Sequence, residues 1–154
     1  MALEQTAALS EAALSEAALQ VLELMFFVSA EESSAPPAWD STRIFAQVEF
    51  RGQWAGRCRV EMPESFARVM VGNFTGSLDP EEVHPETMIE TICEFANMIC
   101  GSTITRLGCP GIVTLSPPHL IEEWPSAKGA AAAERWFDTG EGMLHVSFET
   151  EEAA

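Results

Sequence analysis

The sequence predicts an α+β domain in which helices stack on an antiparallel sheet. Three observations carry that expectation. An alanine-rich amphipathic stretch opens the chain, two alternating runs joined by "RGQ" follow, and a long helical pattern in the middle gives way to several short β-type segments. At 154 residues the chain suits one domain, 1–154, with a sizeable core.

Thr6 to Val28 reads as the first helix: Leu9, Ala12, Ala13, Leu19 and Leu22 recur at helical spacing, and Glu11 and Glu16 lie toward the N-terminal half. The Ser, Glu and Pro-Pro content of "SAEESSAPPAWD" makes that segment a surface connector. In "TRIFAQVEF", Ile44, Ala46, Val48 and Phe50 alternate with Arg43, Gln47 and Glu49, and with "WAGRCRVEM" this run forms a hairpin. Pro63 opens a second helix through "ESFARVMVGNF", with Phe66, Val69, Met70 and Phe74 at helical spacing and an end near Gly76. Asp79 and Pro80 mark the next entry, and Pro85 restarts the chain as the main helix, which is expected to close at Gly101. "STITRLG", "GIVTLSPPHLIEE", "AAAERWFDT" and "GMLHVSFET" read as short strands, the last two joined across "TGEG". "EWPSAKGA" reads as a mobile connection and "EEAA" as a frayed tail. A helix followed by antiparallel strands thus occurs twice, the order expected of a duplicated helix-plus-strands unit, without a residue-level repeat.

Composition narrows the function. A formal net charge of -16, with only eight Lys and Arg, argues against nucleic acid and against an anionic membrane surface. No run approaches the roughly 20 apolar residues of a membrane span. The opening "MALEQTAALSEAALSEAALQ" has no basic region ahead of an apolar stretch, so the cytoplasm is the expected location. Cys58, Cys93, Cys100 and Cys109 form no CxxC pair and have no His at ligand spacing, so they are expected as buried thiols, with neither a metal site nor a disulfide framework.

The stretch "ETICEFANMICG" carries the functional question. On a wheel of about 100° per residue, Ile89, Ile92, Ala96, Ile99 and Cys100 share one side with Phe95 at its margin, which is the side expected to pack. Opposite lie Glu86, Glu90, Glu94, Asn97 and Gly101, with Met98 nearby. Glu94 and Asn97, three residues apart, can address one point beyond the helix surface. A carboxylate there accepts from a cation and a carboxamide can orient water. The plain alternative is a solvated polar face. Glu86, Glu90 and Glu94 repel one another at i, i+4 and i+8, a cost that a positive partner would relieve.

These residues resemble the CheX branch of the CheC/CheX/FliY family of chemotaxis phosphatases. "EFANMICG" is similar to the family's Glu-x-x-Asn helix, "GIVTLSPPHLIEE" to its strand with a Ser-x-Pro step, and "FRGQWAGRCRVEMPESFARVMVGNFTG" and "FDTGEGMLHVSFE" to its two hairpin regions. The resemblance implies a CheC/CheX-like fold and hydrolysis of the aspartyl phosphate of a CheY-like receiver domain. In that reading Asn97 orients the attacking water, Glu94 pairs with the receiver's lysine, and Glu90, Met98 and Gly101 touch the partner. No cofactor is implied for this chain, since Mg2+ would sit on the receiver, and a homodimer is the family's expectation. The family usually has Asp or Ser where this chain has Glu90. The first helix has no Glu-x-x-Asn, so one site per chain is implied.

The remaining residues point elsewhere only weakly. His84, His119 and His145 have no Ser or Cys partner at a catalytic spacing. Ser116, ahead of Pro117 and Pro118, reads as a strand terminator, and the Asn-x-Thr of "GNFTG" matters only in a secreted protein. Trp39, Trp54, Trp124 and Trp136 are too dispersed for a ligand cage and read as core or interface residues. The rival to a phosphatase is a noncatalytic adaptor of the same fold. A small-molecule enzyme comes last, because no glycine-rich phosphate loop is present.

Overall fold

The computed structural model describes residues 3–34, 39, 41–76, 79–125 and 132–152. Their elements are α1 (Leu3–Phe26), β1 (Glu31–Ser33), β2 (Arg43–Arg51), β3 (Trp54–Pro63), α2 (Glu64–Thr75), a 3-10 turn (Pro80–Glu82), α3 (Pro85–Leu107), β4 (Thr114–Leu115), β5 (His119–Leu120), β6 (Ala132–Asp138) and β7 (Met143–Glu152). The strands form one antiparallel sheet in the order β1-β6-β7-β3-β2-β4, with β5 also on β2. Helices pack on this sheet, so the α+β expectation holds.

The sheet has an internal two-fold pattern. The hairpins β2–β3 and β6–β7 meet at the centre through β3 and β7, with Cys58 opposite Phe148 and Val60 opposite Val146. Each outer edge is completed by the other half: β1 adds to β6, while β4 and β5 add to β2. The helix-plus-strands order seen twice in the sequence corresponds to this arrangement.

Alternation builds the core. Ile44, Ala46, Val48 and Phe50 of β2, Cys58, Val60 and Met62 of β3, and Leu144, Val146 and Phe148 of β7 are all buried in one cluster with the helices. Gly56 sits where the sheet is tightest: a β-carbon there would lie 1.9 Å from the Glu149 carbonyl oxygen and 2.9 Å from the Phe50 ring. Only glycine fits that close approach.

Several boundaries differ from the sequence expectation. α1 spans Leu3–Phe26, and its packed face is Ala13, Leu14, Ala17, Ala18, Val21 and Leu22, whereas Leu9 and Ala12 are exposed. In an alanine-rich helix almost every stripe contains apolar residues, so periodicity alone leaves the rotation of the buried face open. The stretch around "STITRLG" is not a strand. α3 runs through Gly101 to Leu107, and Gly108, at φ 68°, supplies the left-handed cap. Thr103 is buried within the helix and donates its hydroxyl to the Ile99 carbonyl at 2.7 Å, so its β-branched side chain is satisfied in helical geometry. "GIVTLSPPHLIEE" yields only two short pairings. Ser116 clips them in place, its hydroxyl accepting from the Glu49 amide at 3.0 Å and donating to the Glu49 carbonyl at 3.2 Å.

The connector after α1 contributes β1, and Glu151 and Glu152 continue β7 instead of fraying. Within "EWPSAKGA", residues 126–130 lie outside the described set, as do Ala153 and Ala154 of the tail. α2 ends at Gly76, φ 79°, and α3 begins at Pro85, both as the punctuation residues predict.

Candidate functional site

α3 is held on three sides. It packs on β2 and β3 below and on α1 and α2 beside it. Met88, Ile92, Phe95, Ala96, Ile99 and Ile104 enter the core, with Phe95 edge-on to Phe26 of α1 at 5.2 Å between centroids. α1 runs antiparallel to it, since Arg106 near the end of α3 reaches Glu16 at 3.2 Å and also bonds Gln20, whereas Phe95, earlier in α3, meets Phe26 at the end of α1. Such a helix cannot roll, so its remaining face is fixed in space.

That face is the acidic strip. Glu86, Glu90 and Glu94 are exposed, while Asn97, Met98 and Gly101 are half-buried. Among the described residues no hydrogen bond or ion pair engages the side chains of Glu90, Glu94 or Asn97. Glu94 and Asn97 stand on neighbouring turns, within the roughly 5–6 Å that separates β-carbons at i, i+3. Gly101 leaves the strip open: a β-carbon at this position would meet nothing within 4 Å. Ile89, expected on the packed side, is 37% exposed, and Met88 fills the core in that turn. Side chains lean toward a helix's N-terminus, so a residue near the start of the helix extends past the elements that cover later turns.

Two of the buried thiols are held toward the protonated form by their surroundings. The Cys100 thiol beside Cys58, and then burial, hold Cys58 well above its ordinary value of 9.0, and burial raises Cys93 as well. Cys58, Cys93 and Cys100 are free and buried, whereas Cys109 is half-exposed. No group of three His, Cys, Asp or Glu among the described residues is placed to hold a metal ion, and no described helix is long and apolar enough to cross a membrane.

A second polar cluster lies on the opposite face of the sheet, and sequence reasoning missed it. Glu61, 3% exposed, faces His145 Nδ1 at 2.6 Å with one carboxylate oxygen and accepts from Arg43 at 3.0 Å with the other. His145 Nε2 faces Glu134 at 3.0 Å, and the ring lies between Trp124 and Trp136 at 4.1 and 4.9 Å. Each ring nitrogen thus faces a carboxylate oxygen. Arg59, also buried, donates to Gln47 and Glu149, each at 2.7 Å. The segment after β5 carries Trp124 across this face and turns an expected solvated surface into an interior. This cluster holds the segment down and lies on the other side of the sheet from the strip.

A family model for the chemotaxis phosphatase CheX matches residues 44–133, a span that contains the whole of α3. The chain belongs to the CheX family. Among solved structures it is similar to CheX of Borrelia burgdorferi in a complex with CheY, BeF3 and Mg2+, at 21% identity and TM-score 0.73, covering 92% of this chain and 97% of that one. CheX of Desulfovibrio desulfuricans matches at 17% identity and TM-score 0.72, over 92% and 99% of the two chains. CheX of Vibrio vulnificus matches at 15% and 0.72, over 92% and 96%. At these identities the likeness establishes the fold. No curated protein matches the chain.

Proposed function

We propose that this CheX-family chain hydrolyses the aspartyl phosphate of a CheY-like receiver domain, with α3 as the inserted element. The observation that carries the reading is the unengaged Glu94 and Asn97 pair on the outward face of a helix clamped on its other sides. The membership in a family of chemotaxis phosphatases gives the reaction class.

Phosphoryl transfer asks the protein mainly for in-line placement of the nucleophile and for charge compensation. The Asn97 carboxamide accepts a hydrogen bond from a water and fixes its lone pair toward phosphorus. The new bond is water oxygen to phosphorus. The bond to the aspartyl oxygen breaks, that carboxylate leaves with the electron pair, and the water's proton passes to the phosphate product or solvent. Glu94 pairs with the receiver's lysine and holds the two proteins in register, as a charge-assisted bond does. Mg2+ belongs to the receiver in this reading. Glu90, Met98 and Gly101 border the contact, and Glu90 adds a further negative charge facing the partner.

The experiment is the decay of a Mg2+-bound, phosphorylated CheY-like receiver from the same genome, alone, with this protein, and with Asn97→Ala or Glu94→Ala. Acceleration by the native chain, abolished in Asn97→Ala with docking retained and accompanied by weaker docking in Glu94→Ala, is the expected pattern. Detectable binding without acceleration would replace the phosphatase with the adaptor reading.

A further inference from the structure

At the end of α1 the structure exposes an apolar group with an unusual backbone. The antiparallel contact of Arg106 with Gln20 sets the register of α1 against α3. One turn beyond Gln20, on the same face of α1, stands Leu24, 62% exposed. Phe26, the last residue of α1, meets Phe95 edge-on at 5.2 Å, which sets this end of α1 near the turn of α3 that carries Glu94. Phe27 follows the last residue of α1 and is 73% exposed. Phe74 of α2, also exposed, stacks on Phe26 at 5.1 Å.

Phe27 has φ 56°, the sole non-glycine residue at positive φ among the described residues. A side chain is strained in that left-handed conformation, and glycine or asparagine is the ordinary choice after a helix. The backbone around it is pinned, because Asn73 donates to the Phe26 carbonyl at 3.0 Å and the Val28 amide donates to the Leu22 carbonyl at 3.0 Å. An aromatic ring is therefore held into solvent at a strained position next to the proposed contact helix, the kind of outlier that collects at functional sites.

We infer that Leu24, Phe27 and Phe74 form the apolar flank of the receiver-docking face, receiving an apolar surface beside the partner's lysine. The inference rests on the phosphatase reading and adds to it a second, hydrophobic half of the recognition surface. Charge selects the occupant. A second copy of this chain would set Glu90 and Glu94 against their own counterparts, with Arg106, the basic side chain of α3, already engaged by Glu16 and Gln20. A partner that joins a cation to an apolar rim meets both halves at once.

The test is steady-state dephosphorylation of a CheY-like receiver, phosphorylated with acetyl phosphate and Mg2+, by the native chain and by Phe27→Asn and Leu24→Ser. Asparagine tolerates the left-handed conformation, so Phe27→Asn keeps the fold, which its Tm reports. The expected result is a KM raised roughly tenfold or more, from the apolar area no longer buried on docking, with kcat within about twofold. Asn97→Ala, in contrast, lowers kcat. An unchanged KM in both flank variants overturns this inference and leaves the phosphatase intact. No acceleration by the native chain overturns both. Conversion of a native dimer to a monomer by Phe27→Asn, with KM unchanged, assigns the patch to a second copy and also overturns it.

Discussion

Gly101 offers the sharpest test of whether α3 meets a partner. It lies inside a 23-residue helix, its backbone is not left-handed, and a β-carbon there would meet nothing within 4 Å. Nothing within the chain therefore requires glycine. Replacing a helix-interior glycine with alanine removes backbone entropy from the unfolded chain and adds about 0.5–1 kcal/mol of stability. For a chain of this size that is a rise in Tm of about 1–4 °C. If the strip lies against a receiver, the same position has no room in the complex. Overfilling a packed contact costs about 1–3 kcal/mol, so Gly101→Leu should raise KM by about fivefold to 150-fold. Gly101→Ala should show a smaller increase together with its higher Tm. Thermal unfolding and receiver dephosphorylation on the same preparations read both quantities. A Gly101→Leu variant with native KM and kcat would refute the argument, because it would show that no partner surface approaches this part of the helix.

Three further outcomes follow from the same geometry. His145→Ala removes the partner of one Glu61 oxygen, Arg43 keeping the other, and takes away the ring between Trp124 and Trp136, so it should destabilise by about 1–3 kcal/mol; an unchanged unfolding free energy in urea, followed by tryptophan fluorescence, would contradict a clamp. Cys58 and Cys93 have raised folded-state values, so unfolded thiols ionise first and stability is lost as pH rises through the ordinary value of 9.0; unfolding free energies at pH 8 and 10 should fall less steeply in a Cys58→Ala/Cys93→Ala chain, and equal slopes would speak against the shifts. Glu90→Ala relieves like-charge repulsion with Glu86 and Glu94 and should stabilise α3 by about 0.2–0.5 kcal/mol per pair, while making KM less dependent on salt. A salt dependence identical to the native protein's would place Glu90 outside the contact.

How much of the site could be read in advance varies with the range of the interaction. The acidic strip of α3 was legible because i, i+3 and i+4 neighbours are fixed by helix geometry, whatever surrounds the helix. Ile89 was misplaced and the helix was ended too early at Gly101 because both depend on what covers the start of the helix and on whether Thr103 and Ile104 find a core to enter. The apolar flank was invisible for a related reason. Leu24 and Phe27 belong to a stretch that resembles any other apolar turn, and their exposure depends on how α1 packs against α2 and α3.

The sequence by itself determined the class of fold, the β2–β3 and β6–β7 hairpins, the proline and glycine punctuation of α2, and the pairing of Glu94 with Asn97, since each rests on short-range periodicity or on a residue's own backbone preference. Tertiary structure alone decided that β3 and β7 join the two halves and that Glu61, His145 and Glu134 are brought together under Trp124. Those residues occupy alternate, outward positions that elsewhere would face water. Their burial depends on a segment distant in sequence crossing that face of the sheet, and no local pattern encodes which polar stripe of a strand another part of the chain will cover.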